Sequence, residues 1–408
     1  GNGGTQDIVT GISSVDFTVS GNGSGYWLDR SVNQVKTDAN VFVASGECKV
    51  NTSKVHIKAR SFASDNIVFD GVRGVYKRIY TDLTNIEDSS TGSLTTYTDT
   101  GFTVGTATTS NGSAVTYIAY QTLYTHIKWG VTSQGKFQIE AYNPVTNEGM
   151  IYYIGSGVAG HQISHSQGVE IDYIEVKQLT GVARNWHTYN SYSGATQYQQ
   201  INTTIASTTG VEKWKNTEPT DLNITLGSGI DLNGAEEYIM YYKCKSETFT
   251  IGTYTGTGVA GNFVETKDVN GVARRPARVI IKAVSGTGSW LVFNNTSSFG
   301  AVMFLDTSAQ EGTGWNGYID IEVNGLTLNN NINDNRNFNS LNQRYLYLVE
   351  FDTDNTGTTG SYFDMATDTT NLQIADGLVS ISSGYDSQGA INKVISKSGT
   401  MIPTGGYV

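Results

Sequence analysis

The stretch FTIGTYTGTGVAGNFVETKDVNGVARRPARVIIKAVSGTGSWLVF, residues 249–293, decides the fold. It holds an aromatic-rich strand, a glycine turn, an apolar strand ending in Lys282, and a strand led by Trp290. The same pieces occur earlier, as FQIEAYNPVTNEGMIYYIGSGVAGHQISH, IEVKQLTG and NWHTY within residues 137–189. Part of the set occurs a third time, as VHIKARSFASDNIVF at residues 55–69. Self-similarity at this scale indicates a repeat architecture.

The register follows by subtraction. The strand-end lysines Lys58, Lys177 and Lys282 are 119 and 105 residues apart. The aromatic strand ends Phe69, Tyr189 and Phe293 are 120 and 104 apart. Strands starting at Phe102, Ile224 and Leu326 are spaced by 122 and 102, and those starting at Tyr117, Tyr238 and Tyr345 by 121 and 107. Four markers drift together by a few residues, as loop insertions would make them do.

A chain of 408 residues has room for three such repeats, each long enough to bury a core of its own. Gly is abundant (47), Pro scarce (4) and charged residues make up only 15%, so the composition reads as β-rich with polar turns. Asn-Gly pairs at Asn233, Asn270 and Asn324 favour hairpin turns. Short strands separated by turns, without βαβ alternation, predict an all-β chain of tandem β-sandwich, jelly-roll-like modules with minor short helices. The segmentation is N-terminal adaptor strands (1–47), repeats at 48–130, 131–245 and 246–352, then a linker with C-terminal strands (353–408). Tyr76, Ile79, Tyr80 and Leu83 stand at helical spacing and predict one or two helical turns.

A net charge of −11 argues against nucleic acid and anionic lipid as partners. No apolar run approaches the roughly 18 residues of a membrane span. The two cysteines, Cys48 and Cys244, occupy different points of different repeats and read as free thiols rather than a disulfide framework. The chain starts at Gly1 without a visible signal peptide, which suggests trimming or processing before it.

Several motifs invite chemistry. Gly155–Gly157–Gly160 and Gly256–Gly258–Gly261 match the dinucleotide-binding spacing, but β-like sequence follows where a helix is required. Their shared place in two repeats reads as a hairpin turn. His161 and His165 are four apart on a strand-like segment without the acidic neighbour of a zinc motif. His187 reads as a surface strand residue, and His56 and His126 show no partner in sequence. Asp352 and Asp354 open a loop resembling a calcium site, but Phe363 stands where an EF-hand needs its bidentate Glu. They nominate at most a looser structural calcium ion, beside the plainer reading of a solvated linker. The Asn- and Asp-rich stretch 329–335 carries the same weak signal. Nothing else points to a cofactor or metal.

No nucleophile elbow or phosphate loop is present, and no carboxylate pair is nominated for glycosidase chemistry. Trp186 and Trp290 are repeat-equivalent and read as core. Trp27, Trp214 and Trp315 lie outside the shared pattern and are the surface-recognition candidates, although burial is the commoner fate of any Trp. Arg274 and Arg275 form the most basic spot, suited to an acidic glycan or a neighbouring subunit, with a local salt bridge as the plain alternative.

In combination, TYTGTG…GVARRPARVIIK…GTGSWLVF, with the later LTL and YLYL strands, resembles a repeat of tail-fibre and other virion-surface proteins of tailed bacteriophages. Residues 66–120 match in the same way, through NIVFDGVRGVYKRIYTDLTNIED, DTGFTVG and NGSAVTYIAY. The resemblance covers about residues 50–350. Repeat three departs at DNRNFNSLNQRYLYL, and repeat one lacks the opening glycine turn. The resemblance implies a non-enzymatic structural or adhesive role at the virion surface. The expected partners are other virion subunits, further copies of the chain in a homo-oligomer (a trimer), and a host surface glycan or protein. The competing expectations are a capsid decoration or head-fibre protein with purely structural contacts, and a capsular depolymerase.

Overall fold

The computed structural model describes residues 46–98, 101–294, 301–315, 317–329 and 337–351, with short strands in the flanking segments. The expectations for Trp27, Cys48, Asp352 and Asp354 lie outside the described side chains.

The first module has β1 (Gly46–Ala59), β2 (Ile67–Asp70), β3 (Lys77–Tyr80), the hairpin β4 (Leu94–Thr98) and β5 (Gly101–Val104), and β6 (Tyr117–Val131). The second has β7 (Phe137–Asn143), β8 (Glu148–Ile154), β9 (His161–Ser164), β10 (Tyr173–Gln178), β11 (His187–Asn190), β12 (Asn223–Leu226) and β13 (Glu237–Lys243). The third has β14 (Phe249–Thr255), β15 (Asn262–Glu265), β16 (Pro276–Ala283), β17 (Leu291–Asn294), β18 (Ile319–Glu322), β19 (Gly325–Leu328) and β20 (Arg344–Phe351). The helices among the described residues are single turns at Thr108–Asn111, Val211–Trp214 and Ile230–Asn233. The chain is all-β.

Each module repeats one sheet order: β2-β1-β6, β11-β10-β13-β8 and β17-β16-β20-β14. A smaller layer covers each sheet, formed by β4–β5, β9–β12 and β15–β19–β18. Strand β7 pairs with both β6 and β8, so the first two modules share one continuous antiparallel sheet. The boundary drawn at residue 130 therefore falls inside a hairpin.

The principal sheets are buried on both faces. Along β13, Tyr238, Met240 and Tyr242 face the core of their own module, while Ile239 and Tyr241 join a cluster shared by all three. Double-sided burial explains why YIMYY is apolar without alternation. The shared cluster also takes Ile118 and Tyr120 from β6 and Leu346 and Leu348 from β20.

The modules are not strung out in series: they close into a ring with threefold pseudosymmetry. Lys177 donates to the carbonyl of Thr84 in module one (2.7 Å), and Lys282 to that of Thr203 in module two (3.3 Å). Lys58 donates to the carbonyl of Thr307 in module three (3.3 Å), which closes the circle. Each lysine also binds a carbonyl of its own module, at Ser64, Arg184 or Gly288. Backbone bonds repeat the cycle: Glu87 N–H to Leu179 (3.1 Å), Ser207 to Val284 (3.0 Å) and Glu311 to Arg60 (2.9 Å). Trp186 Nε1 reaches the Tyr80 carbonyl (2.6 Å) and Trp290 Nε1 that of Gln200 (2.9 Å). Asn66, at the equivalent place in module one, reaches Thr307 (2.9 Å).

The three lysines are 0–1% exposed. Burial pushes Lys177 down to about 7, and Lys58 and Lys282 to about 8. Asp82 and Asp306 partly offset burial at the latter two; Asn202, at the matching position, offers Lys177 no charge. The unfolded lysines keep the usual value near 10.5, so between about pH 7 and 10 the unfolded chain binds more protons than the folded one. Stability is therefore expected to rise over that window. It should fall beyond about pH 10, because buried tyrosines such as Tyr153 and Tyr241 are held well above their ordinary range and ionise only on unfolding. Urea midpoints at pH 7, 9 and 11 check this; a steady fall from pH 7 to 9 would contradict the buried-lysine junctions.

Two expectations are corrected here. Lys77–Tyr80 is a strand, not a helical turn, because Gly74 and Tyr76 adopt positive φ (92° and 68°) and break any helical run before it. His187 is 2% exposed rather than on the surface, since β11 is covered on both sides.

Candidate functional site

A cavity of about 60 Å³ lies where the three modules meet. Its lining comes in repeat-equivalent triplets: Lys54, Tyr173 and Arg278; His56, Glu175 and Ile280; Tyr120, Tyr241 and Leu348; Thr122, Lys243 and Glu350. Contributions from all three modules at each position put the cavity on the pseudo-threefold axis. The strand registers that align β1, β10 and β16 produce this: Ala59, Gln178 and Ala283 pair with Tyr117, Tyr238 and Tyr345.

The ring junctions keep lysine in all three repeats, whereas the axial positions differ. Identical cations at an axis would repel one another in a poorly screened setting. A single chain escapes that constraint. Lys54 pairs with Glu175 (3.1 Å) and lies over the Tyr241 ring (3.8 Å). Lys243 bridges Glu148 and Glu350, the latter at 2.9 Å. Arg278 pairs with Glu350 (3.2 Å) and stacks over Tyr120 (4.0 Å). The flanking carboxylates hold Lys243 above the usual lysine range, although burial opposes them. Lys54 is lowered instead, because burial and the charges of Lys243 and Arg278 outweigh Glu175. His56 is pushed well below the usual imidazole range by burial, then by Arg278, Lys54 and Lys58. It is therefore neutral at pH 7.

A known family model, a domain of unknown function, DUF7483, matches the chain over residues 38–352. The match covers all three modules. The chain belongs to the DUF7483 family. No curated protein and no solved structure matches it.

The DUF7483 ring places the sequence candidates apart from this cavity. Trp214 is 1% exposed, edge-on to Tyr189 in the second module's core, which rules it out as a surface contact. Trp315 is half-buried, stacked on Phe338 and edge-on to Phe293. Arg274 takes the salt-bridge reading, pairing with Asp268 (2.6 Å), whose carboxylate also caps the turn at Asn270 and Val272. Arg275 beside it is half-buried.

The glycine loops of the DUF7483 domain wrap around asparagines. Asn233 accepts from Ser156 N–H (2.9 Å) and donates to the Val158 carbonyl (2.9 Å); Asn339 does the same with Thr257 and Val259. A Cβ on Gly155 would stand 1.9 Å from the Gly234 carbonyl oxygen, so the glycine serves close packing. The glycines are thus structural, as their repeated position indicates, but the expected hairpin turn is corrected: each loop carries the chain from a principal sheet to its covering layer. His161 is spanned by Asn233 and Thr132 (2.7 and 2.6 Å), and His165 is bonded to the Thr220 carbonyl (2.9 Å). Among the described residues no three His, Cys, Asp or Glu side chains group as metal ligands. Cys244 is free and buried.

Sequence reasoning passed over the axial set. The available signal was polar or charged residues at inward positions of otherwise apolar strands: Lys54 and His56 alternating with Val55 and Ile57, Glu175 within YIEVK, and Arg278 within PARVII.

Proposed function

We propose that this chain is a structural, non-catalytic protein of a tailed-phage virion, most simply a tail fibre or receptor-binding appendage contacting a host surface glycan or protein. The observation that carries the reading is the closed ring. Its buried lysines, tryptophans and asparagines are consumed in joining modules, which yields a rigid platform for surface loops. Among the described residues most tyrosines are buried in strands and Tyr192 alone is clearly exposed, so the loops offer chiefly Asn, Ser and Thr for adaptable hydrogen bonding. Several weak contacts on one rigid body add through multivalency. The motif order shared with virion-surface repeats supports the same setting and nominates neighbouring virion subunits as partners. The carboxylates lining the axial cavity are tied to Lys54, Lys243 or Arg278. That is the reverse of the apolar setting that keeps a glycosidase acid protonated, so the depolymerase reading is not favoured.

Exposed valines at loop tips, Val145 in the β7–β8 hairpin and Val158 and Val259 in the glycine loops (82%, 51% and 65% exposed), favour a second reading: capsid decoration, docking on other subunits. Electron microscopy of particles carrying this chain separates the two. Density in fibres projecting from the tail supports receptor binding and leads to a glycan-array screen. Density tiled over the capsid supports decoration, and absence from particles overturns both.

A further inference from the structure

The axial cavity has a feature that ring closure does not use. His56 lines it, is 6% exposed, and its Nε2 has no hydrogen-bond partner among the described residues. A buried imidazole nitrogen left unmet is costly, so such atoms ordinarily face a guest or ordered water. Lys54 stands two residues away on the same face of β1, and Arg278 lies over the Tyr120 ring, against which His56 also leans (5.8 Å between centroids). The facing acids, Glu175 and Glu350, are engaged with Lys54 and with Lys243 and Arg278. With Glu148 also in the lining, three carboxylates balance Lys54, Lys243 and Arg278, and the unmet donor of this concave corner is Nε2–H of a neutral histidine, flanked by two cations already in ion pairs.

The volume sets the guest's size. At roughly 10–15 Å³ per water, the cavity holds about four to six waters, the bulk of one acetate or phosphate rather than a sugar ring. We propose that the axial cavity binds a small oxyanion, a carboxylate or phosphate group, through His56, Lys54 and Arg278. The guest's oxygen accepts from His56 Nε2–H, selecting that tautomer, and its charge is shared with Glu175 and Glu350 across the Lys54 ammonium and Arg278 guanidinium. Carboxylate chemistry has two sources: a free small anion, or the acid group of an acidic sugar entering end-first. The site stands on its own geometry and does not rest on the virion reading, which would survive its failure.

The test is a titration of the full chain with sodium acetate, sodium phosphate and sodium glucuronate, each against sodium chloride at equal ionic strength. The readouts are His56 ¹⁵N NMR and the melting midpoint. With acetate or phosphate, a saturable shift of the His56 Nε2 signal is expected, together with a rise in midpoint of about 1–2 °C at ten times Kd. The midpoint rise should vanish in His56→Phe, which removes the nitrogen, and both effects should vanish in Thr122→Trp, which plugs the cavity without removing a charge. Glucuronate competing with acetate assigns the acidic-sugar source; acetate or phosphate acting alone assigns the free anion. No saturable His56 shift in the wild type, or equal midpoint rises in wild type and either variant, overturns the proposal.

Discussion

Replacing Arg73 by Met is expected to cost about 3–5 kcal/mol, the range for removing one partner of a buried ion pair. Arg73 and Asp70 are fully buried and pair at 2.6 Å. Arg73 also donates to the Val68 carbonyl (3.2 Å) and pairs with Glu87 (3.3 Å). Asp70 accepts from the Arg73 N–H (2.9 Å) and from Tyr241 Oη of the second module (2.5 Å). The network therefore fixes the turn after β2 and joins two modules. Without the guanidinium, the carboxylate is left buried beside an aromatic hydroxyl. A double variant, Asp70→Asn with Arg73→Met, removes both charges and should be milder than Arg73→Met alone, a coupling that a double-mutant cycle reads directly. Urea unfolding checks both. A loss under about 1 kcal/mol for Arg73→Met would contradict the buried network.

Trp186→Ala should cost a similar amount, about 3–5 kcal/mol, by cavity formation and lost transfer energy. Trp186 is 0% exposed and stacks on Tyr241 (6.3 Å between centroids, 21° between planes). Its indole nitrogen crosses to the first module at Tyr80, while Asn202 Oδ1 caps its backbone N–H (3.0 Å). The variant therefore loosens a junction as well as a core. Trp315→Ala should cost clearly less, since that ring is half-buried within one module. Equal losses for the two would mean that Trp186 packs no better than a surface ring.

The all-β class and the threefold repetition were legible in the spacing of Lys58, Lys177 and Lys282, and in the pairing of Trp186 with Trp290. Those residues recur because each does the same work at one of three equivalent junctions. Ring closure was not legible, because a string and a circle of modules have the same spacing along the chain. Only contacts between the first and third modules, such as Lys58 with Thr307, distinguish them. The strand at Lys77–Tyr80 was misread because the helical spacing of Tyr76, Ile79, Tyr80 and Leu83 is a weaker signal than the backbone turn at Gly74 and Tyr76. Trp214 misled because absence from the shared pattern does not imply exposure: it fills a gap specific to module two. The axial cavity escaped notice for the opposite reason. Its positions are repeat-equivalent, but their residues have diverged into complementary charges.

The closed ring is tested most directly by a disulfide across its last junction. Ser64 N–H donates to the Ser308 carbonyl at 2.9 Å, bringing the first and third modules into backbone contact. In a Cys48→Ser background, with Cys244 buried, Ser64→Cys and Ser308→Cys should form an intramolecular disulfide under mild oxidation in the folded chain, and raise its urea midpoint. A folded chain in which both thiols stay free, or cross-link only between molecules, would contradict the ring and restore an open array of modules.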